Sequence, residues 1–333
     1  MTARDALRLL RREIVQVVGC TEPAAVAYAF RTLVRHLPAR PDPATFRAEL
    51  RISQDAFRNA STAVVPRLKT VGILAAAAAG IASRADDFNV FAGFDLRRAR
   101  AFMQNSAWLE IVPVRRRGLF IHAQLPGLRT GITLAGRHDR IERLVVFGED
   151  RTPREKPLPP PPTLAEIFAL ARARDPELEA LALDFLTRQV PAERGYPLEQ
   201  QVARRVAGRM SGYSHPVMTL TGSGNQGIFL GLPYRQLHAK QGASILPAVV
   251  FSLLTQVHLS ARKNRLSADC GLATKAGPAL AAGLAFARGA SPADIRRLFR
   301  DIPARLAGLT CEGAEPACGG KALRALQMVW IPA

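Results

Sequence analysis

The sequence predicts an α+β fold: an N-terminal mixed α/β lobe with an antiparallel sheet, followed by a mostly helical C-terminal lobe. Three observations carry this expectation. Four short β-branched runs fall between residues 108 and 147, separated by Gly, Pro or charged turns. Pro153, Pro157, Pro159, Pro160, Pro161 and Pro162 then crowd one segment, which excludes both a helix interior and a central strand there. Beyond them, apolar residues recur at helical spacing almost without a break. Residues 1–152 are thus expected to form the mixed lobe, 153–162 an extended linker or rigid loop, and 163–333 the helical lobe.

In chain order, residues 5–18 space Leu, Ile and Val as a helix does. Thr21-Glu22-Pro23 reads as a second helix start: a hydroxyl cap, an acid in the first turn, and a proline whose missing N–H does no harm. That helix is expected to run to about residue 36. Residues 46–52 alternate as a strand, and 70–84 form an alanine-rich helix. Segments 108–114, 118–125, 130–135 and 141–147 make the antiparallel meander. After the prolines, helices are expected over 163–174, 177–187, 198–210, 246–263, 278–287 and 292–299. Residues 215–234 are glycine-rich and read as irregular.

The composition is that of a globular protein: 48% hydrophobic, 22% charged, mean hydropathy +0.03. Aromatics are only 6%, so Ala, Leu, Val and Ile must build the core. The formal net charge is +19, which raises the question of a nucleic-acid partner. The positive charge is nearly all arginine and is spread along the chain. The denser groups, Arg115-Arg116-Arg117 and Arg204-Arg205, lack neighbouring aromatics that would stack bases, so nucleic acid is disfavoured. No uninterrupted apolar run, 246–254 included, reaches the length of a membrane span, and residues 1–12 lack a signal-peptide pattern. A cytoplasmic protein with reduced thiols is expected, without a membrane partner and with homo-oligomerisation left open.

The four cysteines, Cys20, Cys270, Cys311 and Cys318, form no C-x-x-C pair. Each still has a suggestive setting. Cys20 directly precedes a helix start, where free N–H groups and the dipole stabilise a thiolate. The other three are followed within two residues by glycine, which lets the backbone approach a bulky group. By spacing alone, small buried hydrophobes are the favoured reading, because ligands scattered over a chain have no diagnostic spacing. Thr221-Gly222-Ser223-Gly224-Asn225-Gln226-Gly227 is a loop rich in N–H donors that suits a carboxylate or phosphate, or is simply a tight turn. It matches neither the P-loop nor the dinucleotide pattern.

Four motifs then occur in a fixed order: Gly19-Cys20-Thr21-Glu22-Pro23; residues 218–227, ending in Gly-Ser-Gly-Asn-Gln-Gly; Arg265-Leu266-Ser267-Ala268-Asp269-Cys270-Gly271; and Cys311-Glu312-Gly313-Ala314-Glu315-Pro316-Ala317-Cys318. Together they resemble the L-cysteine desulfidase family, which is similar to the α subunit of iron–sulfur L-serine dehydratases. The resemblance spans about residues 13–321. It implies a [4Fe–4S] cluster held by Cys20, Cys270 and Cys311 with one iron left open, Cys318 being the fallback ligand. It implies a substrate carboxylate held by Ser223, Asn225 and the backbone around Gly224 and Gln226, with Arg58, Asn59 and His138 facing the substrate. The implied activity is β-elimination from a small amino acid, L-cysteine to pyruvate, ammonia and sulfide. L-serine dehydration and a non-catalytic, cluster-bearing metabolite binder are the alternatives. Soft sulfur suits iron, which favours cysteine. Lys321, Lys275 and His138 are the candidate bases. The chain departs from the family at Arg67, Leu68 and Lys69, which stand for Gly-Thr-Gly; at Asp139 and Arg140, which stand for Thr-Asn; and at Glu312 and Glu315, which stand for Asp and Lys.

Overall fold

A computed structural model describes residues 1–191, 193, 195–263 and 265–330. Helix α1 (Ala3–Glu13) starts at Thr2, whose hydroxyl accepts the Asp5 N–H, and buries Ala6, Leu7, Leu9 and Leu10. It stops earlier than the spacing predicts. The β-branched Val17 and Val18 belong to a short strand, β1 (Gln16–Val18), which pairs antiparallel with residues 216–218. Helix α2 (Thr21–Val34) follows, capped at Cys20 and buried along nearly its whole length.

The next elements are β2 (Ala48–Ser53), α3 (Gln54–Thr62), the two-residue strands β3 (Val64–Val65) and β4 (Thr70–Val71), α4 (Ile73–Ala82) and α5 (Leu96–Met103). The strands β5 (Leu109–Val114), β6 (Phe120–Leu125), β7 (Thr130–Ala135), β8 (Ile141–Val146) and β9 (Glu149–Asp150) complete a six-stranded sheet in the order β5-β2-β6-β7-β8-β9. The antiparallel expectation holds for β6 through β9 but not for the whole sheet. β2 inserts between β5 and β6 and runs parallel to β5, so the sheet is mixed. Burial explains the order. Leu50 and Ile52 are fully buried and need neighbours on both sides, whereas β5 carries Pro113, which lacks a ladder N–H and belongs at an edge.

Helix α2 lies over β6 and β7 and packs against α4. The alanine-rich stretch makes this possible: a Cβ at Gly80 would lie 2.1 Å from the Ala27 carbonyl, so the two backbones touch without side chains between them. The proline run has no regular structure, but it is tied down. Glu155 takes Arg12 at 2.7 Å and Arg137 at 3.3 Å, and the Pro162 carbonyl accepts from His258 Nδ1 at 2.7 Å.

The second half is helical: α6 (Leu164–Ala173), α7 (Pro176–Thr187), α8 (Leu198–Met210), then β10 (Pro216–Met218), α9 (Gly224–Gln241), α10 (Leu246–Arg262), a π-helical turn at Leu272–Ala276, α11 (Gly277–Ala287), α12 (Pro292–Arg305) and α13 (Cys318–Val329). Residues 215–234 are therefore not irregular. They hold β10 and most of α9, whose Gly227, Gly231 and internal Pro233 hide the helical period. The continuous run Gly224–Arg262 corrects a second expectation. By length and composition it would cross a membrane, yet 78% of its apolar window is buried inside the molecule, where it serves as core.

Between β3 and β4 the backbone keeps a glycine-like path without glycine. Arg67 and Lys69 hold φ of 64° and 53°, and the Leu68 side chain between them is buried. A left-handed conformation costs an L-residue about 1–2 kcal/mol, partly offset in glycine by its greater chain entropy. Lys69 is exposed. Lys69→Gly is expected to raise stability in urea unfolding by about 0.5–1 kcal/mol.

Candidate active site

The site is assembled by the pairing of β1 with β10. Gln16 faces Met218 and Val18 faces Pro216. Past the strands the contact continues: Thr219 N–H donates to Val15 at 2.8 Å, and Thr221 N–H donates to Glu13 at 3.0 Å. The buried Glu13 carboxylate also takes two guanidinium bonds from Arg265, at 2.7 and 2.5 Å. The chain just before Cys20, the glycine-rich loop and the segment leading to Cys270 are thereby fixed together.

The loop ends as the N-terminus of α9. Ser223 is its cap, its Oγ accepting the Gln226 N–H at 3.4 Å. The Gln226 side chain accepts from Gln256 on α10, and Gln256 also donates to Thr221 Oγ1 at 3.2 Å. At Gly227 the helix rests on β10: a Cβ there would lie 1.9 Å from the Met218 carbonyl.

The cysteines reach the same place from four segments. Cys20 caps α2, and its Sγ donates to Glu22 Oε2 at 3.0 Å. Glu22 Oε1 accepts from His138 Nε2 at 3.3 Å, leaving His138 Nδ1 against Gly222. Residues 268–270 and 309–311 pair as extended chains: Cys270 N–H donates to Leu309 at 2.9 Å and Cys311 N–H to Ala268 at 2.6 Å. That pairing sets Cys270 beside Cys311. Cys311 Sγ lies 3.7 Å from Asn59 Oδ1 on α3. Cys318 opens α13, its Sγ 3.6 Å from the Gly313 carbonyl, and packs with Cys20, Ala63, Met210 and Ala314.

All four thiols are free, and all four line one cavity with about 780 Å³ of empty space including its mouth. Ser223, Asn225, Gln226, Arg58, Asn59, His138 and Lys275 line the same cavity. Gly224 is buried directly behind, against the Arg209 guanidinium. Lys321 lies outside the lining. Its Nζ donates to the Thr310 carbonyl at 2.8 Å and pairs with Glu312 at 3.2 Å, which raises its pKa.

Electrostatics divide these groups. Burial pushes all four thiols up, and the Glu22 charge adds to the effect at Cys20. The thiolate stabilisation expected from the α2 terminus is therefore outweighed in the protein alone. For Glu22, burial is the largest single influence and acts upward, but His138 and the Cys20 thiol together bring the carboxyl down to about 2. Lys275, buried in the π-helical turn beside Arg265, is lowered to about 8, first by burial and then by that like charge.

Among the described residues, no group of three His, Cys, Asp or Glu side chains is close enough to hold a single metal ion. A cubane cluster holds its thiolates further apart than one ion does, and three or four cysteines are its ordinary donors. The donor set fits such a group. So do the surroundings, because Arg209 Nε and Nη2 and Arg58 Nε are buried without hydrogen-bond partners among the described residues. Coordination to a metal removes a thiol proton outright, whatever burial does to the free thiol.

Sequence reasoning found the cysteines and the loop but gave no site role to Glu22, Arg209, Gln256 or the Glu13–Arg265 pair. Glu22 was legible only as a first-turn acid, and Arg209 was one arginine among many. Since the Met218 carbonyl is fixed by strand pairing, Gly227→Ala is expected to destabilise the fold by about 2–3 kcal/mol in urea unfolding.

Residues 179–328 match the serine dehydratase alpha chain family. Over nearly the whole chain the sequence is also similar to UPF0597 proteins. That of Oleidesulfovibrio alaskensis is 28% identical across 96% of this chain and 84% of the relative. That of Nitratidesulfovibrio vulgaris is 28% identical across 95% and 86%, and that of Caldanaerobacter subterraneus subsp. tengcongensis 25% across 94% and 83%. The cavity with its cysteines and glycine-rich loop thus sits in a chain whose similarities support a serine dehydratase alpha-chain-like family.

Proposed function

We propose that the protein is a cytoplasmic iron–sulfur lyase that eliminates the β-substituent of a small amino acid, converting L-cysteine and water to pyruvate, ammonia and sulfide. One observation carries the reading: four free thiols from three separate parts of the chain line a single cavity beside the N-terminus of α9. In this proposal Cys20, Cys270 and Cys311 hold a [4Fe–4S] cluster, with Cys318 in reserve. Bound there with one iron open, the cluster supplies a Lewis acid for the substrate's β-heteroatom.

The chain's own groups do the rest. Ser223, Asn225 and the free N–H groups at the start of α9 receive the substrate carboxylate. Asn59 and Arg58 close the side of the cavity formed by α3. Lys275 removes the α-proton. Its amine is buried in the lining, and a pKa of about 8 leaves a useful neutral fraction near neutral pH. His138, held by Glu22, orients the Gly222 side of the loop. L-serine is the second reading, favoured by the match of residues 179–328 to the serine dehydratase alpha chain family.

Purification without oxygen, a visible spectrum, iron analysis and assays of sulfide and pyruvate test the proposal. A brown protein releasing both products from L-cysteine is expected. Pyruvate from L-serine alone would select the second reading, and a colourless, iron-free protein would end both. Cys20→Ala, Cys270→Ala and Cys311→Ala are each expected to lose the colour, while Cys318→Ala keeps it.

The base has its own signature. Only the neutral amine of Lys275 accepts a proton, so kcat/KM is expected to rise roughly tenfold per pH unit below about 8 and level off above it. Lys275→Met is expected to lower kcat at least about 100-fold with iron retained. A pH profile unchanged in Lys275→Met would remove Lys275 from the role.

A further inference from the structure

Arg209 lies in the last turn of α8 and is 3% exposed. A guanidinium so deeply buried normally faces a carboxylate, because an uncompensated buried charge is costly. Arg209 has no ion pair among the described residues. Nη1 donates to Asn225 Oδ1 at 2.9 Å, while Nε and Nη2 have no hydrogen-bond partner among the described residues. The site is thus short of one anion.

The geometry shows where that anion belongs. A Cβ at Gly224 would lie 2.5 Å from Nε, 2.6 Å from Cζ and 2.8 Å from Nη2, so the guanidinium lies flat on the first residue of α9. α9 is 18 residues long, and its terminal N–H groups and positive dipole end meet the guanidinium there. Only glycine permits this approach. Arg209, Ser223 and Asn225 all line the cavity that holds the four cysteines. Asn225 is held in register by Arg209 itself.

We infer that Arg209 is the anchor for the substrate's α-carboxylate, and that it restricts the site to ligands with a free carboxylate; this rests on the lyase reading above and names its specificity-determining residue. A planar, forked donor matches a carboxylate through two parallel bonds, which an amide cannot reproduce. The loop N–H groups position the carboxylate and Arg209 supplies the charge. Arg209 acts in binding, so its loss appears in KM more than in kcat. The competing role is to offset the negative charge of the thiolates that would hold a cluster, since Met210, the next residue, packs against Cys20.

Titration of cluster-loaded protein with L-alanine and with L-alaninamide tests this without turnover, because neither carries a leaving group. The wild type is expected to bind L-alanine at least about 50-fold more tightly than the amide. Arg209→Gln is expected to reduce that preference to under about threefold and to raise KM about 100-fold with iron content unchanged. Arg209→Lys keeps a buried charge, guards against a misfolded glutamine variant, and is expected to retain an intermediate preference. Undiminished preference in either variant would overturn the inference. So would loss of iron in both, which would assign Arg209 to the metal. Arg209-dependent preference without turnover of cysteine or serine would sink the lyase reading and leave the anchor standing. Turnover with preference independent of Arg209 would sink the anchor alone.

Discussion

Three residues of strand pairing hold the site together. β1 and β10 are about 200 positions apart, so closing that loop is entropically costly before any local contact repays it. The pairing persists because both strands are rooted in core: Val17, Val18, Val217 and Met218 are all buried. Antiparallel direction then decides the rest. The chain leaving β1 runs to Cys20 and the start of α2, near the end of α8. The chain leaving β10 runs the other way, past Val15 and Glu13, and turns into α9. A parallel pairing would send both to the same end. The Glu13–Arg265 bond adds the segment before Cys270 to the same joint. Breaking such a pair strands a buried carboxylate, so it fixes position more than it adds net stability.

Around the cavity the fold gathers buried ionisable groups. Glu22 is kept ionised against its burial by His138. Lys275, whose amine donates to the Arg265 carbonyl, is lowered to about 8 by burial and then by the Arg265 charge. Arg209 and Arg58 present buried nitrogens without partners among the described residues. An interior arranged for stability alone would pair or exclude such arginine nitrogens. Their concentration at one cavity, next to the four thiols, distinguishes this place from the rest of a core built largely of Ala, Leu, Val and Ile. Elsewhere in the core Tyr234, Ser252 and the Ala279 carbonyl form a chain of bonds, while Thr32 and Thr255 bury hydroxyls without partners among the described residues.

Much of this was legible in the sequence because it depends on local chemistry. Helix α8 occupies the predicted span 198–210, and β7 the span 130–135. The proline run was expected as a linker or rigid loop, and two of its residues, Glu155 and Pro162, bond to Arg12, Arg137 and His258. The failures share a cause. The path of β2 between β5 and β6 is set by the burial of Leu50 and Ile52, a tertiary demand absent from local alternation. α9 was hidden because its glycines serve contact with Met218, Gln189 and Arg209 rather than helix propensity. The cysteines carried no diagnostic spacing, since the pairing of 268–270 with 309–311 operates through space. Arg209 could not be singled out because its meaning lies in what it lacks.

Most departures from the pattern that the sequence resembles fall outside the cavity lining; Arg58, which stands where that pattern has Lys, is part of it. Arg67, Leu68 and Lys69 lie on the β3–β4 turn, and none of them lines it. Arg67 and Lys69 retain the left-handed backbone that glycines at those positions would adopt, and Arg67 donates to the Phe94 carbonyl at 2.9 Å and stacks on its ring. Side-chain contacts there do the work that backbone freedom would do in glycine. Asp139 pairs with Arg137, and Glu312 pairs with Lys321 on the far side of the 309–311 segment. Glu315 is also absent from the lining. Of the polar groups that face the cavity, Ser223 and Asn225 belong to the glycine-rich motif, whereas Asn59 and His138 match the resemblance outside the four motifs. Strand pairing, helix contact and the Glu13–Arg265 bond set the geometry of the lining, and none of them involves Arg67, Leu68, Lys69, Asp139, Arg140, Glu312 or Glu315.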